Sequence, residues 1–465
     1  MPQQHLDRLN SVDAGFLHQE DGRDSHMHIG GLAVFEGPPP TEDELLEHMA
    51  GRMHLVPRFR QKLAFPPLGS GRPLWIDDPT FSLEYHVRRS ALPRPGNEEQ
   101  LMRLVSRVVS QRLDRSKPLW EMWVVEGLAD DRWCMINKAH HALVDGVGGI
   151  DVMTALVDLT PETRVLEPEP WIPARTPGPV EQLARGAVGA ARGVRELTEG
   201  ALARVHDPRQ LAGDALARAG GLAAVLRNFV TPAPATPLNA APGPHRTFSV
   251  VRTRLADFKA VKDALGGTLN DVVLSVVSGA LRTYLEELGV DVNYVRLRAC
   301  VPMSVRTAAQ QDGAGNQISL VVVELPTDEA DARRRHELVS GRMDGLKRGN
   351  QSVGAQTLVQ MEEWMPPNVL AQASRLGFSS RLYNLLVTNV PGPQFPVYVM
   401  GRRMTDMFPI AFLAPEHRVA IAILSYDGAV GFGLLGDADA LGPLDSLARA
   451  IEAALRELVE LAAAA

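Results

Sequence analysis

Two adjacent histidines followed by an aspartate and a glycine form the segment of this chain best suited to chemistry. His140 and His141 are followed, after three apolar residues, by Asp145 and Gly146. A neutral imidazole, with an ordinary pKa of about 6.5, can take the proton of a hydroxyl as that oxygen attacks an activated carbonyl. Asp145 would then order the loop or orient the imidazole, and Gly146 would let the backbone approach an acyl donor closely. The segment therefore favours general-base catalysis by one histidine.

Metal ligation, a covalent nucleophile and a purely structural histidine pair are the competing interpretations. Adjacent residues of a strand point to opposite faces, so His140 and His141 cannot easily share one metal ion. The sequence contains no His-Glu-x-x-His segment and no Gly-x-Ser-x-Gly turn. Cys134 lies inside a predicted strand, where a buried and unreactive thiol is expected. We expect neither a metal nor an acyl-enzyme, while the residues alone leave the structural pair open.

The residues around the histidines predict a strand that ends at them and a helix that follows. Residues 133–136 form an apolar run that is typical of a buried strand. Four apolar residues then recur at helical spacing: Val147, Ile150, Met153 and Val157. Polar side chains at such a junction commonly face a crevice, so the two histidines are predicted to do the same.

The chain divides into three segments by composition. Residues 1–160 and 246–465 both alternate strand-like and helical patterns, which predicts layered α/β architecture. Residues 161–245 form a proline-flanked helical linker rich in Ala, Arg and Leu. Its arginines would suit anionic lipid, but it lacks strong aromatic anchors, so packing on the halves is the simpler interpretation. A closing helix with one buried face is predicted by Leu444, Leu447, Ile451, Leu455 and Leu458.

The composition narrows the class of protein. With 465 residues, a net charge of −7 and an apolar fraction of 45%, the chain fits a folded protein of two or three domains and not a nucleic-acid binder. Two cysteines are too few for a disulfide framework. The polar N-terminus predicts no signal peptide, and no run approaches the roughly 18 apolar residues of a membrane span. We therefore expect a cytoplasmic protein that can still lie on a membrane surface.

Residues 140–146 match the HHxxxDG pattern of coenzyme A-dependent acyltransferases and of peptide-synthetase condensation domains. Further motifs in the same order resemble the bacterial wax ester synthase/diacylglycerol acyltransferase family over nearly the whole length. They are Leu9-Asn-Ser-Val-Asp13, His26-Met-His-Ile-Gly-Gly31, Pro118-Leu-Trp-Glu121, Asn270-Asp-Val-Val-Leu274, Val301-Pro-Met-Ser-Val-Arg306, Thr388-Asn-Val-Pro-Gly-Pro393, Ser425-Tyr-Asp-Gly428 and Phe432-Gly-Leu-Leu-Gly-Asp437. The ordered set is more specific than the histidine pattern alone.

The resemblance implies two α/β halves, each like chloramphenicol acetyltransferase, with a cleft or tunnel between them. It implies that His141 is the catalytic base and that His140 is a supporting residue. Asp145 is implied to be structural and held by an arginine, with Arg298 and Arg306 as candidates.

The same resemblance implies substrate-binding residues. Asn270 and Asp271 fall on the family's Asn-Asp motif. Both also suit the start of a helix, whose free N–H groups can attract an anionic donor or a forming oxyanion. Pro118 and Trp120 are expected to shape the lipid tunnel or to pack the first half.

The implied function is transfer of a long-chain fatty acyl group from acyl-coenzyme A to the hydroxyl of diacylglycerol, or of a fatty alcohol to give a wax ester. No covalent intermediate is expected, and no cofactor besides the acyl-coenzyme A substrate. The expected partners are these lipids and no nucleic acid, with association to a membrane or a lipid droplet left open. Two other functions stay open: a condensation-type domain that acts on carrier-bound acyl groups, and a non-catalytic lipid-binding protein.

Overall fold

The computed structural model describes residues 8–20, 25–67, 72–144, 155–178, 181, 232–304, 318–348 and 378–465. Its strands form two six-stranded sheets and one two-stranded sheet, and helices pack on the larger sheets. The layered α/β architecture predicted from the alternating patterns is present in both outer segments.

The strands are numbered in order along the chain. Those of the first segment are β1 (His28–Glu36), β2 (Gln61–Ala64), β3 (Leu74–Asp77), β4 (Val87–Ala91), β5 (Trp120–Leu128) and β6 (Arg132–His140). Those of the last segment are β7 (Arg246–Arg254), β8 (Arg298–Ser304), β9 (Ile318–Glu324), β10 (Leu385–Pro391), β11 (Tyr398–Val399), β12 (Arg402–Ile410), β13 (Val419–Tyr426) and β14 (Ala429–Asp437).

The helices are numbered in the same way. The first segment contributes α1 (Ser11–Gln19), α2 (Glu42–Arg52), α3 (Leu83–His86), α4 (Glu98–Ser110) and α5 (His141–Val144). The last contributes α6 (Leu255–Leu265), α7 (Leu269–Glu287), α8 (Ala332–Arg348), α9 (Ala438–Leu441) and α10 (Asp445–Ala463). Among the described residues no single helix is both long and apolar enough to span a bilayer; α6 and α7 meet that test only as a pair bent by 101°.

The two large sheets do not correspond simply to the first and last segments of the chain. The first has the order β11-β12-β1-β6-β5-β4, and the second has the order β7-β14-β13-β10-β8-β9. Strands β11 and β12 come from the last segment but lie in the first sheet, where β12 pairs antiparallel with β1. The predicted boundary at residue 246 therefore divides the sequence but not the two sheets, because strands β11 and β12 follow that boundary and still lie in the first sheet.

Strand β12 also brings the two sheets close together. A Cβ atom built at Gly433 of β14 would lie only 1.8 Å from the carbonyl oxygen of Pro409 in β12. Any side chain there would force the sheets apart, so this glycine sets how closely the halves approach.

Local sequence signals explain the helices that flank these sheets. The side chain of Asn97 caps α4 by accepting from the backbone N–H of Gln100, and the side chain of Gln100 in turn accepts from the backbone N–H of Asn97. The predicted closing helix is confirmed as α10, and the buried side chains Leu447, Ile451, Leu455 and Leu458 lie along one of its faces. Most of the helical linker predicted over residues 161–245 lies outside the described residues.

Candidate active site

His141 lies where β6 ends, as the sequence predicts, and it begins the short helix α5; the helix predicted from Val147 onward lies mostly outside the described residues. Its backbone N–H donates to the carbonyl oxygen of Met27 at 2.8 Å, which ties this turn to the residue before β1. Its side chain lines a cavity of about 380 Å³. Both halves contribute to the walls of this cavity, with Trp120, Met122, Leu386, Thr388, Ala422 and Leu424 among the lining residues. The imidazole is thus open to a largely apolar chamber between the two sheets.

Two phenyl rings contact the imidazole of His141, and a third contacts both of them. The ring of Phe16 stacks on the imidazole with a centroid distance of 4.0 Å, and the ring of Phe412 meets it edge-on at 5.8 Å. Phe378 lies 5.7 Å from Phe16 and 6.0 Å from Phe412, so the three rings form a cluster beside the histidine. This cluster, called the aromatic trio below, also lines the cavity.

The surroundings of His141 favour its neutral form. Burial lowers the pKa of His141 from 6.5 to about 4, the charge of His140 adds to this, and the backbone carbonyl of His141 itself partly opposes it. Nδ1 of His141 is buried and makes no hydrogen bond to another described residue. Because Nδ1 is covered, we assign the contact with a substrate proton to Nε2.

His140 is buried and both of its ring nitrogens face the protein. Nδ1 of His140 accepts a hydrogen bond from the backbone N–H of Ala142 at 3.0 Å. A nitrogen that accepts carries no proton, so a neutral ring holds its proton on Nε2, which lies 3.2 Å from Oε1 of Glu20. This geometry suits a residue that supports the turn and does not touch substrate.

Glu20, the residue after α1, is a buried carboxylate that joins several groups. Its Oε1 accepts from the backbone N–H of Met27 at 2.6 Å, and its Oε2 accepts from Nη2 of Arg115 at 2.7 Å. Nε2 of His28 lies 3.7 Å from Oε1. Burial alone would raise the pKa of Glu20, but the hydrogen bond from His140, the charges of His140 and His28 and the hydrogen bond from Arg115 hold it well below its usual range.

Sequence reasoning did not identify Glu20 or His28 as site residues. His28 faces His140 because β1 and β6 pair antiparallel with these two residues opposite each other. The recurrence of histidine at positions 26 and 28 was the available signal, since alternate residues of a strand share a face. Glu20 gave no comparable signal, because its contact depends on how α1 docks beside the end of β6.

The structure places the other predicted first-half residues as follows. Trp120 is buried, lines the cavity and donates from Nε1 to the carbonyl oxygen of Phe59 at 2.8 Å. Pro118 is buried just before β5 and does not line the cavity. Asp145 and Gly146 lie outside the described residues, as does Arg306. The contact between Asp145 and an arginine therefore stays a prediction.

The two residues of the predicted Asn-Asp motif take different positions at the start of α7. Asp271 forms a capping box with Thr268, whose backbone N–H donates to Oδ2 of Asp271 at 2.8 Å. Asn270 accepts through Oδ1 a hydrogen bond from Nδ2 of Asn389 at 3.2 Å. Of these residues only Asn389 lines the cavity, so Asn270 is placed behind it.

One buried ion pair supplies part of the polar wall of the cavity. Nζ of Lys138 lies 3.3 Å from Oε2 of Glu121, and it also donates to the carbonyl oxygens of Val108 and Gln111 at 3.0 Å each. Oε1 of Glu121 forms a second ion pair, with Nη2 of Arg88 at 3.1 Å. These charged groups are therefore engaged with each other and with the backbone.

Two family models match the chain. The wax ester synthase/diacylglycerol acyltransferase catalytic domain matches residues 9–273, and the C-terminal domain of the same group matches residues 314–459. A putative diacylglycerol O-acyltransferase of Mycobacterium bovis is 35% identical over 469 residues, which cover 98% of this chain and 96% of the relative. A probable diacylglycerol O-acyltransferase of Mycobacterium tuberculosis has the same identity and coverage.

Solved structures show the same fold. A wax ester synthase/diacylglycerol acyltransferase from Marinobacter aquaeolei superposes with a TM-score of 0.67 and 26% identity, covering 98% of this chain and 100% of the other. The first condensation domain of the calcium-dependent antibiotic synthetase gives a TM-score of 0.58 at 16% identity, with 99% and 97% coverage, and shares the fold alone. The predicted fold of two halves is confirmed by these likenesses.

Proposed function

The chain belongs to the wax ester synthase/diacylglycerol acyltransferase family, and we propose that it moves a fatty acyl group from acyl-coenzyme A to the free hydroxyl of diacylglycerol with His141 as general base. The observation that carries this proposal is the position of the His141 imidazole on the wall of an apolar cavity between the halves. Such a cavity can hold acyl chains while one imidazole nitrogen faces the reacting groups.

The proposed step is a direct transfer. Nε2 of His141 takes the proton of the acceptor hydroxyl as its oxygen attacks the thioester carbonyl carbon. The tetrahedral intermediate collapses, the C–S bond breaks, and the coenzyme A thiolate leaves and takes up the proton from His141. The lowered pKa of His141 keeps the imidazole neutral before the step, and it also makes the ring a weaker base, so the proton moves to it only as the attacking oxygen bonds to the thioester carbon.

The negative charge on the carbonyl oxygen needs a hydrogen-bond donor in the cavity. We assign this role to the side-chain amide of Asn389, which lines the cavity and is oriented by its bond to Asn270. One N–H of this amide points to Asn270, which leaves the other for the oxyanion. In this arrangement Asn270 acts through Asn389.

A direct assay tests the proposed function and the choice of acceptor. The purified protein is incubated with radiolabelled palmitoyl-coenzyme A and either a diacylglycerol or hexadecanol, and the labelled lipids are separated. We expect labelled triacylglycerol, with wax ester as a further product if the cavity admits a single-chain alcohol. Absence of both products, with binding of the lipids retained, would favour a non-catalytic lipid-binding protein.

We further propose that the protein works at a lipid surface from the cytoplasmic side, because diacylglycerol does not leave a membrane or droplet freely. Two apolar residues that line the cavity, Leu320 and Val390, are exposed by 47% and 51%. Exposed apolar side chains at a cavity mouth fit contact with lipid. Flotation with vesicles containing diacylglycerol tests this: Leu320→Ser with Val390→Ser should weaken binding, whereas Tyr294→Ser, at an exposed residue that does not line the cavity, should not.

A further inference from the structure

The aromatic trio comes from three distant parts of the chain. Phe16 belongs to α1, Phe378 precedes β10, and Phe412 follows β12. Phe16 and Phe412 are each only 6% exposed, although both line the cavity. Packing alone does not require three rings from separate elements to meet beside one imidazole, with two of them in contact with it. Their convergence indicates a function at the reacting centre.

A histidine that can deprotonate an alcohol can also deprotonate water, and water is smaller and far more abundant. Hydrolysis would waste the thioester and yield free fatty acid. An enzyme that transfers acyl groups to lipids must therefore keep water from the carbonyl beside its base. Apolar cavities do this passively, because a water molecule inside them finds too few hydrogen-bond partners and they stay dry.

On the basis of the function proposed above, we propose that the phenyl rings of Phe16, Phe378 and Phe412 exclude water beside His141 and so determine that the acyl group goes to a lipid hydroxyl. The trio is thereby a specificity-determining feature and takes no proton itself. The stacked position of Phe16 covers one face of the imidazole, and the edge-on position of Phe412 bounds it from another direction.

The buried ion pair on the cavity wall supports this assignment. Lys138 and Glu121 bind each other, and Lys138 is further held by two backbone carbonyls. A pair that is already satisfied offers little to a stray water. The low pKa of His141 is likewise what a poorly hydrated imidazole shows, since burial is its main cause.

If a gap admits water, the same base performs a balanced hydrolysis. His141 takes a proton from water, the oxygen attacks the thioester carbon, and the C–S bond breaks. The products are a free fatty acid and coenzyme A, whose thiolate receives the proton from His141. No additional reactant is needed.

The test compares transfer with hydrolysis in the same preparations of full-length protein. Phe412→Ala opens a space beside His141 that water can occupy, and Phe378→Ala opens one next to Phe16 and Phe412 in the same cluster. Coenzyme A thiol and free palmitate are measured with palmitoyl-coenzyme A alone, and triacylglycerol is measured with diacylglycerol added. We expect the ratio of hydrolysis to transfer to rise on the order of tenfold, which corresponds to about 1.4 kcal/mol.

Matched variants separate water exclusion from general damage. Phe412→Leu keeps an apolar side chain and should hold the ratio near that of the wild type. Phe59→Ala removes a ring that lines the same cavity but contacts Trp120 and not His141, and should not raise the ratio. His141→Ala combined with Phe412→Ala should abolish hydrolysis, because both reactions use the same base.

Two outcomes would overturn the inference. One is an unchanged ratio in folded Phe412→Ala and Phe378→Ala proteins. The other is an equal rise in Phe59→Ala, which would assign hydrolysis to cavity enlargement in general. Either result leaves the proposed function intact as long as the wild type forms triacylglycerol, whereas a wild type without transfer would overturn the function itself. Thermal melting curves identify unfolded variants, and Phe378→Val and Phe412→Val then provide the same comparison with smaller volume changes.

Discussion

Nε2 of His140 lies 3.2 Å from Oε1 of Glu20, a carboxylate carried by the residue that follows α1. The same helix carries Phe16, whose ring stacks on His141. Helix α1 and the residue that follows it therefore contact both histidines of the pair, one through a carboxylate and the other through an aromatic ring. This arrangement suggests a separate test for each residue.

The two histidines should differ sharply on substitution. His141→Ala removes the general base and should lower kcat by roughly a hundred- to ten-thousandfold. His140→Ala leaves Nε2 of His141 in place but loosens the turn, so a measurable share of transfer should persist. Initial rates of triacylglycerol formation from palmitoyl-coenzyme A measure both effects. Near wild-type transfer in folded His141→Ala protein would contradict general-base catalysis by this residue.

Glu20→Gln should destabilise the protein and reduce transfer. The neutral amide keeps the shape of the side chain but loses the charge that binds Arg115 and His140, at a cost of about 1–3 kcal/mol. Urea denaturation at neutral pH measures this cost. The control is Glu99→Gln, which removes an exposed pair with Arg103 and should change the free energy of unfolding very little.

The pH dependence of this contribution has a definite sign. The pKa of Glu20 is lower in the folded protein than its ordinary value of 4.5, so the ionised carboxylate stabilises the fold above that value. The contribution is lost as the pH falls below 4.5 towards the folded pKa. The difference in unfolding free energy between wild type and Glu20→Gln should therefore shrink on acidification in that range. A difference that grows there would contradict the assignment.

The contrast between Glu20 and α10 shows which features can be predicted from the sequence and which cannot. The face of α10 follows from the spacing of its own leucines, because helical periodicity is a local property. The contact between Glu20 and His140 joins residues 120 positions apart. The place of β12 beside β1 depends on pairing between segments that lie far apart in the sequence. Motifs located the histidines, but the groups that hold them become visible only once strands are paired and helices docked.

The pH at which acid abolishes catalysis should lie well below the ordinary pKa of histidine. The pKa of His141 is lowered to about 4, so the neutral base persists as the pH falls through 6.5 and is protonated only near 4. The pH profile of kcat/KM should therefore show no inflection near 6.5. In Phe412→Ala, where water would reach the imidazole, the inflection should move upwards. Circular dichroism at each pH separates titration from acid unfolding, and a wild-type inflection near 6.5 would contradict a buried base.

Neither cysteine should form an acyl-enzyme. Cys300 lines the cavity, but burial raises its pKa to about 12, and burial also raises the pKa of Cys134 in β6. Protonated thiols are poor nucleophiles at neutral pH. Intact-mass spectrometry after incubation with palmitoyl-coenzyme A alone should show unmodified protein. Alkylation under denaturing conditions provides the control that both thiols can be detected, and an adduct at either position would contradict direct transfer.

Substitutions at the start of α7 and at Asn389 should separate effects on catalysis from effects on stability. Asn389→Ala removes the proposed oxyanion donor and should lower kcat by about a hundredfold or more with a small change in KM. Asn270→Ala should have a weaker effect, because Asn270 only orients Asn389. Thr268→Ala breaks the capping box with Asp271 and should instead cost about 0.5–2 kcal/mol of stability. If Thr268→Ala lowered kcat as much as Asn389→Ala in folded protein, the start of α7 itself would contact the reacting groups and the assignment to Asn389 would fail.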